Sequence, residues 1–132
     1  MGGPGDNRLR LEKRARALHT VLIVEDEILV RLFIAEQFRT AGYEVIEAAN
    51  ADEALDLLAH IPSVSLIISD IRMPGSIDGL RLARIVRSEY PTTRIVLTSG
   101  HLPNVDSVDH DGFFLKPYDP RKVIDHIKTL LK

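Results

Sequence analysis

The chain has 132 residues, 45% of them hydrophobic, and 17 basic against 19 acidic side chains for a formal charge of −2. This size and apolar content suit one compact domain with a single core, and the near-neutral balance offers no one-signed field to gather nucleic acid or an anionic membrane. With no cysteine there is no disulfide frame, thiolate nucleophile or zinc–thiolate site, and no apolar run approaches the roughly 20 residues that span a bilayer.

Residues 1–19 form an extension ahead of the first apolar run. Met1-Gly2-Gly3-Pro4-Gly5 reads as a disordered start, and the segment lacks the apolar centre of a secretory signal, so a cytoplasmic location is expected. Leu11, Ala15 and Leu18 share a helical stripe between Glu12, Lys13, Arg14 and Arg16, which predicts an extension that is partly disordered or a short helix. Val21-Leu22-Ile23-Val24 reads as the first strand and runs directly into Glu25-Asp26-Glu27. A helical period follows from Leu29 to Thr40 and stops at Gly42. At about 100° per residue, Val30, Phe33, Ile34, Gln37 and Phe38 cluster inward, which turns Ile28 and Leu32 outward. Two covers suit those two residues: the amino-terminal stripe, or a docking protein.

Tyr43-Glu44-Val45-Ile46 is the second strand candidate, and Ala51 to His60 a helix stopped by Pro62. Ser65-Leu66-Ile67-Ile68 is the third strand, with the lone carboxylate of Asp70 where the apolar run ends and a Pro74-Gly75 turn soon after. A helix is predicted from Asp78 to Ser88, stopped by Pro91. Arg94-Ile95-Val96-Leu97 is the fourth strand, leading into Thr98-Ser99-Gly100. From His101 to Asp111 only Leu102, Val105 and Val108 keep a helical spacing, among a proline, an asparagine and three aspartates. A helical crossover needs at least about 10 to 12 residues, so one or two turns or an irregular loop are expected there. Gly112-Phe113-Phe114-Leu115 is the fifth strand, followed by Lys116-Pro117 and a helix from Pro120 to Leu131. Strands alternating with helices imply a parallel sheet, and strands apolar without alternation imply helices on both faces. The expectation is an α/β domain over residues 20–132, a five-stranded (βα)5 sandwich with a shortened or irregular fourth helix.

In such sheets the loops at the carboxyl ends of the strands converge on one crevice. The strand ends carry Glu25-Asp26-Glu27, Asp70, Thr98-Ser99-Gly100 and Lys116-Pro117. Clustered carboxylates repel one another and gain proton affinity unless a cation neutralises them. Hard oxygen donors without histidine or cysteine favour Mg²⁺ over zinc. A carboxylate nucleophile, a bridging metal, a lysine and a hydroxyl are the parts needed to place a phosphoryl group on an aspartate.

These pieces, Val-Leu-Ile-Val-Glu25-Asp26-Glu27, Ile-Ile-Ser-Asp70-Ile-Arg-Met73-Pro74-Gly75 with Asp78-Gly79, Thr-Ser99-Gly100 and Phe-Phe-Leu-Lys116-Pro117, stand in order over Thr20 to Lys132. On them the chain resembles the receiver domain of two-component response regulators, the stand-alone chemotaxis-type proteins among them. The resemblance implies a doubly wound, flavodoxin-like fold with strand order 2-1-3-4-5. It also implies Asp70 as phosphoacceptor, Glu25 and Asp26 as the acidic pair holding Mg²⁺ or Mn²⁺ with Asp70, and the Arg72 backbone carbonyl as another ligand. Ser99 takes the place of the hydroxyl that moves to the phosphoryl group, Lys116 pairs with a phosphoryl oxygen, and Phe113 stands at the aromatic switch position. Arg72 and His101 fall where the family tunes the lifetime of the acyl phosphate, and a cis Lys116-Pro117 bond is common there. The implied partners are a histidine kinase or histidine phosphotransfer protein, docking near the helix from Leu29 to Thr40, and a downstream protein not readable here. A homodimer is compatible with the resemblance; contact with nucleic acid or membrane is not expected.

Three departures from the pattern stand out. Glu25 replaces the more usual aspartate, the turn Gly75-Ser76-Ile77 is one residue longer than expected, and Phe113 lacks the hydroxyl of the commoner tyrosine. An aspartate-nucleophile phosphohydrolase of the haloacid-dehalogenase type is the rival reading. It normally places a second acid two residues after the nucleophile, where this chain has Arg72. An FMN binder is disfavoured because Glu25-Asp26-Glu27, not a glycine- and hydroxyl-rich loop, follows the first strand. With nothing after Lys132, a regulator or phosphorelay carrier without an effector domain of its own is expected, and not an enzyme beyond assisting its own phosphorylation and dephosphorylation.

Overall fold

The computed structural model describes residues 4–101 and 105–131. A leading helix α1 (Pro4–Ala17) precedes β1 (Thr20–Val24), α2 (Ile28–Thr40), β2 (Glu44–Ala48), α3 (Ala51–His60), β3 (Leu66–Asp70), α4 (Gly79–Glu89), β4 (Arg94–Ser99), β5 (Phe113–Leu115) and α5 (Pro120–Leu130). The five strands form one sheet in the order β2-β1-β3-β4-β5, and every neighbouring pair is parallel.

Alternate residues of each central strand enter opposite cores. Val21 and Ile23 pack with Ile34 and Phe38 of α2 and with Val123 and Ile127 of α5. Leu22 and Val24 pack on the other face with Ala54 and Leu58 of α3 and with Leu82 and Val86 of α4. A strand covered on both faces has no solvent side, so β1 and β3 read as continuous apolar runs. Each fully buried leucine or isoleucine contributes about 1.5–3 kcal/mol, and most of the chain's largest apolar side chains stand in these two layers. β2, at one edge, instead carries Glu44 and Glu47, charges that blunt an exposed edge.

The helix starts have local causes. Asn50 accepts from the Glu53 N–H while Glu53 reaches back to the Ala49 N–H, closing both ends of the first turn of α3. Asp78 and Asp119 cap α4 and α5 through the Arg81 and Arg121 N–H groups, and Pro120 follows Asp119 at the start of α5. After α2 the chain reverses at Gly42, whose φ of 103° suits a residue without a side chain.

Two expectations from periodicity are corrected by the packing. α2 buries Ile34, Ala35 and Phe38, whereas Phe33 is 55% exposed. The helix is rotated so that small Ala35 lies against the sheet, which swings Phe33 into line with Ile28, Leu29 and Leu32, all exposed. The amino-terminal stripe does not cover them either. Arg16 of α1 donates to the Ala41 carbonyl and Lys13 lies against Gly42, at the far end of α2. Only Leu18 and His19 separate α1 from β1, and this short link holds the helix near the amino-terminal edge of the sheet, with Leu11 and Leu18 in solvent.

The fourth crossover holds one 3₁₀ turn, Val105–Ser107, among its described residues; Leu102 lies outside them. Asp111 secures what a helix would have packed. Its carboxylate accepts from the Ile95 N–H at 2.8 Å and from Arg87 at 3.0 Å, and its own N–H donates to the Ile95 carbonyl at 2.7 Å. A side chain thus stands in for a backbone acceptor at the entrance to β5.

Candidate functional site

Three strand ends meet at the carboxyl edge of the sheet. Asp70 closes β3 and is buried, Glu25 follows β1 and is buried, and Asp26 beside it is exposed. One carboxylate oxygen from each lies within 4.8 Å of the others. Lys116, directly after β5, places Nζ 2.9 Å from Glu25 Oε2 and 3.4 Å from Asp70 Oδ2. The Lys116–Pro117 peptide is cis. Glu25 is held at three points: Oε1 accepts from the Glu27 N–H at 3.3 Å, Oε2 faces Lys116, and its carbonyl accepts from Arg31 at 2.8 Å.

Ser99 ends β4 and is buried; its Oγ accepts from the His101 N–H at 3.2 Å, and its carbonyl accepts from the Lys116 N–H at 2.8 Å. Those bonds tie the ends of β4 and β5 together but turn Oγ toward the following turn. Thr98 stands opposite Asp70 in the strand register. Arg72 and His101 are exposed at the two loop mouths. Phe113 sits away from the carboxylates, half-buried against the core layer of α3 and α4. The long turn after Met73 is accommodated at Gly75, with φ 104°. A Cβ on Gly79 would stand 2.3 Å from the Asp70 carbonyl oxygen, so glycine lets α4 close directly onto the end of β3, where the Gly79 N–H donates to the Ile71 carbonyl.

Burial sets the electrostatics. Desolvation pushes the Glu25 and Asp70 carboxyls above their ordinary values, and Lys116 offsets only part of it. For Lys116 burial alone would favour the neutral amine, but its hydrogen bond to Glu25 and the charges of Asp70 and Glu25 outweigh it and raise its pKa. Tyr118, next to this group, is pushed up to about 12, first by burial. Two of the three carboxylates share the Lys116 ammonium, and the three together are a donor set that a hard divalent cation would complete.

Two neighbours were not legible as site residues. Arg31 lies six positions after Glu25 on α2, a charge between the apolar Val30 and Leu32, and only that placement signals it. Tyr118, two residues beyond Lys116, lines an apolar groove with Phe33, Ile34 and Pro120.

Residues 21–128 match the family model described as the response regulator receiver domain. Among curated proteins, the sensor kinase CckA of Brucella abortus is 32% identical over 119 residues, covering 86% of this chain and 12% of that protein. The aerobic respiration control protein ArcA of Escherichia coli is 34% identical over 116 residues, covering 84% of this chain and 48% of ArcA. The chain thus spans half or less of the length of these relatives. Among solved structures, chemotaxis protein CheY4 of Vibrio cholerae aligns with TM-score 0.76 and 28% identity, covering 85% of this chain and 98% of that one. Response regulator TrrA of Thermotoga maritima, solved with Mg²⁺ and BeF, aligns with TM-score 0.76 and 28% identity over 85% of this chain and 98% of its own. The receiver domain of the hybrid histidine kinase CckA aligns with TM-score 0.73 and 35% identity over 86% of this chain and 99% of its own.

Proposed function

The chain belongs to the response regulator receiver domain family of two-component systems, and from that membership we propose that Asp70 accepts a phosphoryl group from a phosphohistidine donor and so switches the binding of a partner protein. The observation that carries the proposal is Asp70 itself: a buried carboxylate at a strand end, 3.4 Å from Lys116 and beside two further acids. In the transfer, an Asp70 oxygen attacks phosphorus, the P–N bond to the donor breaks, and the electron pair returns to the donor imidazole, which then takes a proton. Asp70 emerges as an acyl phosphate that water can hydrolyse. Lys116 holds one phosphoryl oxygen, and Ser99, rotating away from the His101 N–H, donates to another.

A divalent cation, Mg²⁺ or Mn²⁺, would neutralise the developing charge. The residues that fit it are Glu25, Asp26 and Asp70, with the Arg72 carbonyl. The Thermotoga maritima regulator was solved with Mg²⁺ and BeF, which supports a divalent cation at this site. Arg72 and His101, at the two loop mouths, govern water access and so the lifetime of the phosphate. The chain assists its own phosphorylation and hydrolysis and acts on no separate substrate. The pull of Ser99 on the β4 end, felt at Phe113 in the next strand, is the switch. A downstream protein or a second copy reads it. No helix among the described residues is long and apolar enough to cross a membrane; a cytoplasmic site of action suits this chemistry, without direct contact with nucleic acid. The likeness to the hybrid-kinase receiver favours a second reading, an intermediate carrier in a phosphorelay, which uses the same chemistry at Asp70. The domain boundary we propose is at residue 20, with residues 1–19 an extension that carries α1 (Pro4–Ala17).

The donor's docking surface is the exposed face of α2, Ile28, Leu29, Leu32 and Phe33, continued by a groove of about 340 Å³ between α2 and Tyr118. Exposed apolar residues gathered beside a reactive group mark an interaction site. Phe33→Asp is expected to slow transfer from a phosphorylated histidine protein about thirtyfold, the loss of one hot spot of ~2 kcal/mol, while uptake from acetyl phosphate stays unchanged. Equal loss from both donors would place the effect in the site and not in docking.

Metal dependence tests the proposal as a whole. Incubation with acetyl phosphate and Mg²⁺, followed by intact mass measurement, is expected to show one added phosphoryl group, and none with a chelator in place of Mg²⁺. Mg²⁺ at a hundred times its Kd should also stabilise the fold by about 2.7 kcal/mol. Because burial raises the Glu25 and Asp70 pKa values, protons compete with the cation, and this stabilisation should fade as pH falls through the raised values. Uptake that ignores the chelator contradicts the reading.

A further inference from the structure

Arg31 sits on α2 among apolar residues, yet its side chain is only 16% exposed. Nη1 donates to the backbone carbonyl of Glu25 at 2.8 Å, while Nε, buried and without a hydrogen-bond partner, lies 3.4 Å from Glu47 Oε1. Glu47 is shared with Arg39 at 3.2 Å, so it is not a dedicated counter-ion. A guanidinium withdrawn from water with an unbonded Nε is costly to keep, which points to the Glu25 carbonyl as what it is there to hold. That carbonyl stands where β1 has ended: the Glu25 N–H still bonds to Ala48 in β2, and the Arg31 N–H bonds to the Glu27 carbonyl as α2 begins. Between those points Glu25 and Asp26 must turn two carboxylates toward Asp70. Arg31 is the side chain that clamps this turn from below.

We infer that Arg31 is a positioning residue for the divalent cation: it fixes the backbone of the Glu25–Asp26 turn so that both carboxylates face Asp70, and cation affinity depends on it. The inference rests on the metal site proposed above but concerns a residue that touches neither metal nor phosphate. An arginine suits the task because a planar fork can reach the carbonyl and Glu47 at once, whereas lysine reaches one of them.

The test compares wild type, Arg31→Ala, Arg31→Lys and Glu47→Gln by titration calorimetry with Mg²⁺ and by phosphoryl uptake from acetyl phosphate across Mg²⁺ concentrations, with thermal melts as the folding control. Arg31→Ala is expected to raise the Mg²⁺ Kd about tenfold, the scale seen when groups that orient metal ligands are removed. The Mg²⁺ concentration giving half-maximal uptake should rise by the same factor, while the plateau rate at saturating Mg²⁺ is kept. Arg31→Lys should recover part of the affinity. Glu47→Gln, which spares the bond to Glu25, should leave it near wild type. An unchanged Kd in folded Arg31→Ala, or a lost plateau with an unchanged midpoint, overturns the inference. Should Arg31→Ala not fold, Arg31→Lys and Glu47→Gln decide it: equal effects of the two would place the role in the Glu47 ion pair and overturn it. Wild type that binds no Mg²⁺ would instead bring down the underlying site, a distinguishable result.

Discussion

Asp70→Asn is expected to abolish phosphoryl uptake and, at neutral pH, to leave the domain more stable than wild type. The amide has no ionised oxygen to attack phosphorus, so the loss in uptake is complete. The gain in stability follows from the cost of the charge. Burial, the leading cause, raises the Asp70 pKa above its ordinary 3.8, against the opposing pull of Lys116. A carboxyl whose folded pKa lies above its unfolded one contributes fully to stability below the unfolded value, and that contribution is lost as pH rises through the folded value. At pH 7 the ionised form is therefore carried at a cost of about 1.4 kcal/mol for each tenfold gain in proton affinity on folding, and removing the charge returns it. Urea titration of both proteins should show the variant more stable at pH 7, with the gap closing in acid as wild type becomes neutral at this position.

Lys116→Ala works in the opposite direction on stability. It strips the shared ammonium from Glu25 and Asp70, leaving two buried carboxylates to face one another. Breaking a fully buried pair costs about 3–5 kcal/mol. Lys116 retains 24% of its side-chain exposure, so a loss of about 2 kcal/mol at pH 7 is expected without divalent cations, scaled down from that range. Both acids then rise further in pKa, so the variant keeps its stability in acid and loses it as pH increases, and Mg²⁺ should restore much of it. Phosphoryl uptake is expected to be hit harder. A preorganised cation aimed at a developing oxyanion is worth about 10²–10³ in rate, and saturating Mg²⁺ should not repair the loss if the lysine serves a phosphoryl oxygen as proposed. Rapid-quench uptake from acetyl phosphate at saturating Mg²⁺ measures the rate; a fall below about tenfold would remove Lys116 from the chemistry.

Much of this was visible in the sequence because the central strands and their ends are locally encoded. Val21 to Val24 and Leu66 to Ile68 lack alternation since both their faces are covered, and the polar residues that follow mark where coverage stops. Once the strands are parallel, Glu25, Asp70 and Lys116 must share one edge, and they do. Where periodicity failed, the deciding interaction was between distant elements. The phase of α2 turned on how closely a small Ala35 sits against the sheet, which no single-helix period contains, and Phe33 moved into solvent with it. The place of α1 was set by Arg16 and Lys13 against the end of α2, contacts between residues more than twenty positions apart. Asp111 looked like one acid among several in a weak crossover. Its bonds to Ile95 and Arg87 show it tying the end of the crossover to β4 and α4.

The same distinction bears on the site. Asp70, Asp26 and Glu25 are legible as a chemical group, but that Glu25 already spends one oxygen on Lys116 and its carbonyl on Arg31 is a tertiary fact. The longer side chain at position 25 is what lets it reach the ammonium at 2.9 Å while its other oxygen stays bonded to the Glu27 N–H. A cation held by Glu25 would therefore compete with its existing ion pair to Lys116. In Ser99 the hydroxyl is likewise engaged, with His101, so both groups that would meet the phosphoryl oxygens must first leave a partner.

The central claim is that phosphorus becomes bonded to the Asp70 side chain. The most direct measurement is to phosphorylate the protein with acetyl phosphate and Mg²⁺, reduce it with borohydride, digest it and sequence the peptides by mass spectrometry. An acyl phosphate is reduced to an alcohol, so the account predicts homoserine at position 70, absent without acetyl phosphate and absent without Mg²⁺. Aspartate intact at position 70 in protein that has gained a phosphoryl group, or a reduced side chain at position 25 or 26 instead, would contradict it.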